Sequence, residues 1–154
     1  MKVVILCGGQ GTRLREETEY KPKPMVEIGT RPVLWHIMKL YARHGFTEFV
    51  LCLGYKGEQI KRYFLDFNSL NQDFTVSLHD GAVRSINQNH CVPWQVHLID
   101  TGPTTLTGGR LKRLASMINQ KTFMMTYGDG VSDVNLDALL KFHQSNKGLV
   151  TLTA

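Results

Sequence analysis

The octapeptide Cys7-Gly8-Gly9-Gln10-Gly11-Thr12-Arg13-Leu14 follows directly on the apolar run Val3-Val4-Ile5-Leu6. A continuous run rich in β-branched residues, ended by a glycine pair, reads as a buried strand. Three glycines and an arginine then crowd into one turn. Bare glycine backbone can approach an anion closely, and its N–H groups form a nest for one. Arginine adds a charge that stays protonated and grips phosphate oxygens in pairs. In open α/β sheets ligands bind just beyond the carboxyl ends of the strands, where this turn lies. A purely structural strand-to-helix turn has the same appearance, so the octapeptide alone does not decide between the two. Two familiar motifs are excluded. GxGxxG fails because Leu14 stands at the third glycine's place, and GxxxxGK[ST] fails because no Lys-Ser or Lys-Thr follows at the required spacing.

Outward from this turn, strand and helix patterns mostly alternate. Pro32 sits at the expected first turn of a helix carrying Val33, Leu34, Ile37, Met38, Leu40 and Tyr41, which Gly45 stops. A second strand is expected over 46–53, a helix over 58–67 and a strand over 74–78. Residues 82–93 read as irregular, a flap or a subunit-contact segment. Strands over 96–99, 123–127 and 149–153, with helices over 110–118 and 136–142, complete the pattern. Apolar strands alternating with helices predict an α/β fold: a mostly parallel sheet with helices on both faces.

The chain has 154 residues, is 42% hydrophobic and 20% charged, and carries a net charge of +5, which fits one globular domain with an anionic partner. Its three cysteines, Cys7, Cys52 and Cys91, show neither disulfide-framework nor zinc spacing and suit a reducing cytoplasmic setting. No run approaches the ~20 apolar residues of a membrane span. The basic residues are not interleaved with aromatics in one stripe, which argues against nucleic acid.

Two further loops carry charge suited to a nucleotide. Lys21-Pro22-Lys23-Pro24 holds two lysines between prolines that favour extended backbone. Gly128-Asp129-Gly130 closes a strand. A carboxylate there can hold Mg²⁺, which takes one or two carboxylates together with phosphate oxygens and water; a tight Asp-Gly turn is the alternative. Asp133 is a second acid or a helix cap. Gly108-Gly109-Arg110 opens a helix towards the same end of the sheet, with Lys112 and Arg113 expected on a solvated face.

Together GGQGTRL, PKPM, VEIGTRPVLWHIM, DTGPTTLTGGRLKR and TYGDGVSD resemble the sugar nucleotidyltransferases, over nearly the whole chain. Within that family the resemblance is closest to the branch that uses CTP and α-D-glucose 1-phosphate. It implies a Rossmann-like nucleotidyltransferase fold, transfer of a cytidylyl group to give CDP-glucose and pyrophosphate, Mg²⁺ as cofactor, and a homo-oligomer. By motif match, Leu6, Cys7, Gly8, Gly9, Gln10, Gly11 and Thr12 would hold the nucleotide. Arg13 and Lys23 would neutralise its phosphates. Thr104 and Gly109 would touch base or ribose, Gly128 would lie beside the nucleotide, and Asp129 would ligate the metal. Cys7 and Gln10 depart from the usual alanine and apolar residue at those places. The resemblance also implies that residues 1–154 form the nucleotide-binding part, with the sugar-binding part and a second metal-binding aspartate beyond them. Another nucleoside triphosphate, or a non-catalytic nucleotide-binding module, are the competing readings.

Overall fold

The computed structural model describes residues 1–9, 20–86, 92–119, 122–146 and 148–153. Its centre is a four-stranded sheet of β1 (Lys2–Leu6), β4 (Glu48–Leu53), β7 (Gln95–Asp100) and β8 (Met124–Tyr127), in the order β7-β4-β1-β8. All three pairings are parallel. Side chains alternate between faces along a strand, so the doubly apolar runs feed two cores. Val3, Ile5, Phe49, Leu51 and Leu53 pack with Leu34, Ile37 and Met38 of α1 (Val33–Arg43), Ile60 of α2 (Gly57–Leu65) and Leu136 of α5 (Leu136–Asn146). Val4, Leu6, Val50 and Cys52 pack on the other face against Leu114 and, more loosely, Leu111 of α4 (Thr107–Arg113). Burying each such side chain contributes roughly 1.5–3 kcal/mol. The expected α/β sheet with helices on both faces is therefore what the chain forms.

Register places the site. Leu6 pairs with Cys52 and with Tyr127, and Leu53 pairs with Asp100. All four strands thus end at one rim, and their loops converge there.

Several local expectations shift. Pro32 caps α1 instead of entering it: its extended backbone (φ −65°, ψ 151°) also pairs β3 (Arg31–Pro32) with β2 (Glu27–Ile28). Gly45 ends α1 with a φ of 81°, as a helix-stopping glycine should. The helix expected over 58–67 divides into α2 and a short α3 (Phe67–Leu70). The strand expected over 74–78 becomes β5 (Phe74–Val76), and it pairs antiparallel with β6 (Val83–Ser85), which the irregular pattern of 82–93 hid. Asn135, not Asp133, caps α5, its Oδ1 accepting the Ala138 N–H at 3.0 Å. No strand forms over 149–153, because those residues find no ladder partner among the described ones, and Leu149 and Leu152 are exposed.

Cys7 and Cys52 are buried free thiols, so no disulfide joins them. Cys91 lies outside the described residues. Burial pushes the Cys7 thiol far upward and the Cys52 thiol to about 11. A raised folded-state pKa means that the unfolded chain ionises first. The resulting stability is fully present below the unfolded thiol pKa, near ~8.5, and is lost as pH rises towards the folded values. Urea-unfolding midpoints are therefore expected to fall steadily from about pH 8.5 to 11, with a shallower fall for Cys52→Ala. A Cys52→Ala protein as steep as the parent would remove this thiol as a source of the trend.

Candidate functional site

Beyond the strand ends lies an open cleft of about 360 Å³. Its floor is Leu6, Cys7, Gly8 and Gly9, one side is Lys23, Pro24, Tyr127 and Asp129, and the other is Thr105, Leu106, Thr107 and Arg110. The three loops singled out by their residue types therefore meet at one place.

Arg110 organises the cleft. It is 5% exposed, at the last turn of α4. Its Nη1 donates to the Leu53 carbonyl at 2.9 Å and to Thr101 Oγ1 at 2.6 Å, and its Nη2 donates to the Gly8 carbonyl at 2.9 Å. One guanidinium thus ties the ends of β1, β4 and β7. Thr101 is itself fully buried, and its hydroxyl also donates to Leu53 O at 2.7 Å. Arg113, exposed like Lys112 as the sequence predicts, adds a bond from Nη1 to the Thr101 carbonyl at 2.7 Å. Desolvation lowers the Arg110 pKa, but an arginine starts so high that it keeps its charge. No carboxylate among the described residues pairs with it. Asp100 is near enough to favour the charge, yet its Oδ1 accepts the Gly102 N–H at 2.8 Å.

This packing explains the first glycine of the loop. A Cβ on Gly8 would stand 2.0 Å from Arg110 Nη1, and one on Gly54 would stand 2.8 Å from that nitrogen and from the Gly8 and Gly102 carbonyls. Gly8 is bare because a pinned guanidinium lies against it. A Cβ on Gly9 would meet nothing within 4 Å, so its backbone faces the open cleft.

The opposite side carries one ion pair. Lys23 starts a short 3₁₀ turn (Lys23–Met25), so the Lys-Pro-Lys-Pro stretch is extended only as far as Pro22. Lys23 Nζ lies 3.4 Å from Asp129 Oδ2. Lys21 turns away to Glu27 at 2.8 Å and so does not add to the charge in the cleft. Gly128 is buried, donates its N–H to Leu6 O at 3.0 Å, and has no room for a Cβ, which would meet Cys7 Sγ and Pro24 Cγ at 3.0 Å. It locks the Asp129 turn against β1.

The sequence-derived residues divide as follows. Leu6, Cys7, Gly8, Gly9, Lys23 and Asp129 line the cleft, and Gly128 supports it. Gln10, Gly11, Thr12 and Arg13 lie outside the described residues. Thr104 is exposed, and Thr105 beside it faces the cleft. Gly108 and Gly109 lie inside α4, not before it, and a Cβ on Gly109 would come within 2.8 Å of Thr105 Cγ2. Gly109 therefore seats Thr105. Sequence reasoning missed Arg110 as a buried clamp, together with Thr105, Leu106, Thr107 and Tyr127 in the lining. The strand-end carbonyls that receive Arg110 leave no trace in a residue pattern.

For a metal, the described residues offer the Asp129 carboxylate and no gathering of three or more His, Cys, Asp or Glu side chains. One carboxylate in an open, phosphate-sized cleft fits Mg²⁺, which keeps waters and takes substrate phosphate oxygens. It does not fit a closed zinc or calcium cage.

Arg110→Lys keeps the charge but cannot span three acceptors. It is expected to lower the unfolding free energy by about 1–3 kcal/mol, the cost of buried oxygens left unbonded. Gly8→Ala, which displaces the same group, is expected to cost a similar ~1–3 kcal/mol by overpacking. Because both act through one contact, the double variant should lose less than the sum of the two in denaturant titrations.

The family model for nucleotidyl transferases matches residues 2–154. The glucose-1-phosphate cytidylyltransferase of Salmonella typhimurium is 48% identical over 155 residues, covering 100% of this chain and 60% of that protein. A probable glucose-1-phosphate cytidylyltransferase of Bacillus subtilis is 45% identical over 153 residues, covering 99% of this chain and 59% of that protein. The chain therefore spans about 60% of the length of the curated relatives it matches. Among solved structures, HddC from Yersinia pseudotuberculosis superposes with a TM-score of 0.68 at 25% identity, covering 92% of this chain and 53% of that one. No helix among the described residues is long and apolar enough to cross a membrane.

Proposed function

The chain belongs to the nucleotidyl transferase family, and from that premise we propose that it is the nucleotide-binding part of a glucose-1-phosphate cytidylyltransferase. The reaction would be CTP + α-D-glucose 1-phosphate → CDP-glucose + pyrophosphate. One observation carries the reading: a buried guanidinium with no carboxylate partner among the described residues borders a cleft that also holds Lys23 and open glycine backbone. Such a cleft is built for an anion, since a buried cation is stabilised by a charge brought to it. The cytosine and the glucose come from the relatives' names, and the family resemblance of residues 101–110 also points to cytosine. A homo-oligomer in the cytoplasm belongs to the same proposal.

The mechanism follows from charge. A phosphate oxygen of the sugar phosphate is already anionic, so no general base is needed. It forms a bond to the α-phosphorus of CTP as the bond to the bridging oxygen breaks, and the electron pair leaves with pyrophosphate. The work of the chain is to hold two repelling anions in line and to offset their charge. Backbone N–H groups of the first loop would hold the nucleotide, with Thr105 and Thr107 offering hydroxyls on the facing side. Lys23 and Arg13 would bind the phosphates and the leaving group. Arg110 would hold the loops together and set a positive potential under them. Asp129 would hold Mg²⁺, which supplies further charge neutralisation when bound.

Removing one such cation is expected to lower turnover by ~10²–10³ while leaving the fold intact, by analogy with loss of a single transition-state donor. The test is pyrophosphate release from CTP and glucose 1-phosphate, comparing the parent with Lys23→Ala and Arg13→Ala. Calorimetric titration with CTP and UTP runs alongside. Preferential CTP binding together with the loss of turnover supports the proposal. Equal affinity for the two nucleotides rejects the cytidine assignment, and CTP binding without pyrophosphate release leaves a binding module.

A further inference from the structure

Across the cleft from Arg110 stands an ion pair. Lys23 Nζ and Asp129 Oδ2 stand 3.4 Å apart, on elements 106 residues apart in sequence, with both side chains partly shielded and both bordering the cleft. Pro24 is buried, and both it and Gly128 are packed tightly, so neither group's backbone moves freely away from the other. Before any ligand binds, the positive charge of Lys23 is thus committed to Asp129. Among the described residues, Arg110 is held by neutral oxygens alone.

Resting on the nucleotide-binding reading above, we infer that Asp129 is a positioning residue for Lys23, and that the two exchange partners when nucleotide and cation bind. Lys23 passes to phosphate and Asp129 passes to the cation. A polyphosphate arriving alone meets a carboxylate that repels it and that already occupies its lysine. A divalent cation arriving alone meets a carboxylate covered by an ammonium. Each ligand removes the obstacle to the other, so the two bind with positive coupling, and linkage makes that coupling reciprocal. The pair is partly exposed, so its share of the coupling is modest, about two- to fivefold in affinity.

Binding without any metal isolates the pair. CTP is titrated into the 154-residue chain in excess chelator for the parent, Asp129→Asn, Lys23→Gln and the double variant, with circular dichroism checking that each is folded. Asp129→Asn relieves repulsion in either background, but it frees Lys23 only where Lys23 is present. The expected result is that Asp129→Asn tightens CTP binding about two- to fivefold more in the parent than in the Lys23→Gln background. Equal gains in the two backgrounds overturn the exchange while leaving the nucleotide site standing. No CTP binding by any variant, with or without Mg²⁺, overturns the nucleotide reading and this inference with it.

Discussion

One guanidinium holds the working end of this molecule together. A parallel sheet ends in a row of carbonyls that no further strand satisfies, and the loops leaving it have no reason of their own to stay close. Arg110 supplies the reason: it donates to Leu53, Thr101 and Gly8, the ends of three different strands or the first residues beyond them. The same contacts leave a buried charge on the wall of a cleft. Structural closure and a positive potential on the cleft wall are thus two consequences of one side chain; a lysine would keep the charge but lacks the planar fork that makes the closure.

The glycines follow from that constraint. Gly8 and Gly54 are small because Arg110 and the facing carbonyls occupy the space that a side chain would need. Gly109 is small so that Thr105 can settle against α4, and Gly128 so that the Asp129 turn can press on Cys7 and Pro24. Of the two described glycines that line the cleft, Gly8 and Gly9, only Gly9 has open space before it, so its backbone is the one left open to the cleft. A glycine-rich stretch beside a strand therefore mixes a residue kept small by packed protein with one whose backbone is open to the cleft.

Much of this was legible in the sequence. The β-branched run at 3–6 and the apolar run within 46–53 announce buried parallel strands, and the helical spacing from Val33 to Tyr41 announces the helix that covers them. The convergence of the first loop, Lys23 and Asp129 was legible too, because strand ends in a parallel sheet share one rim. What stayed hidden depends on partners distant in sequence. Arg110 read as a helix-opening cation because its acceptors, two backbone carbonyls and the Thr101 hydroxyl, lie 9 to 102 residues away. Thr104 and Thr105 are adjacent and chemically alike, so only the turn of the backbone decides which faces the cleft. Of the β5–β6 hairpin only β6 was missed, because that strand is short and exposed throughout, leaving no periodic burial to read.

The dependence of the cleft on Arg110 is tested most directly by a nuclear magnetic resonance titration with CTP and Mg²⁺. The signals to follow are the Arg110 side-chain N–H, the Gly8 and Gly9 amides, and the amides of the β5–β6 hairpin. Arg110 and both glycines shifting together, with one dissociation constant and an unmoved hairpin, is the expected result. Shifts confined to other surfaces, or glycine shifts that leave the Arg110 signal untouched, would contradict a nucleotide site organised by the buried guanidinium.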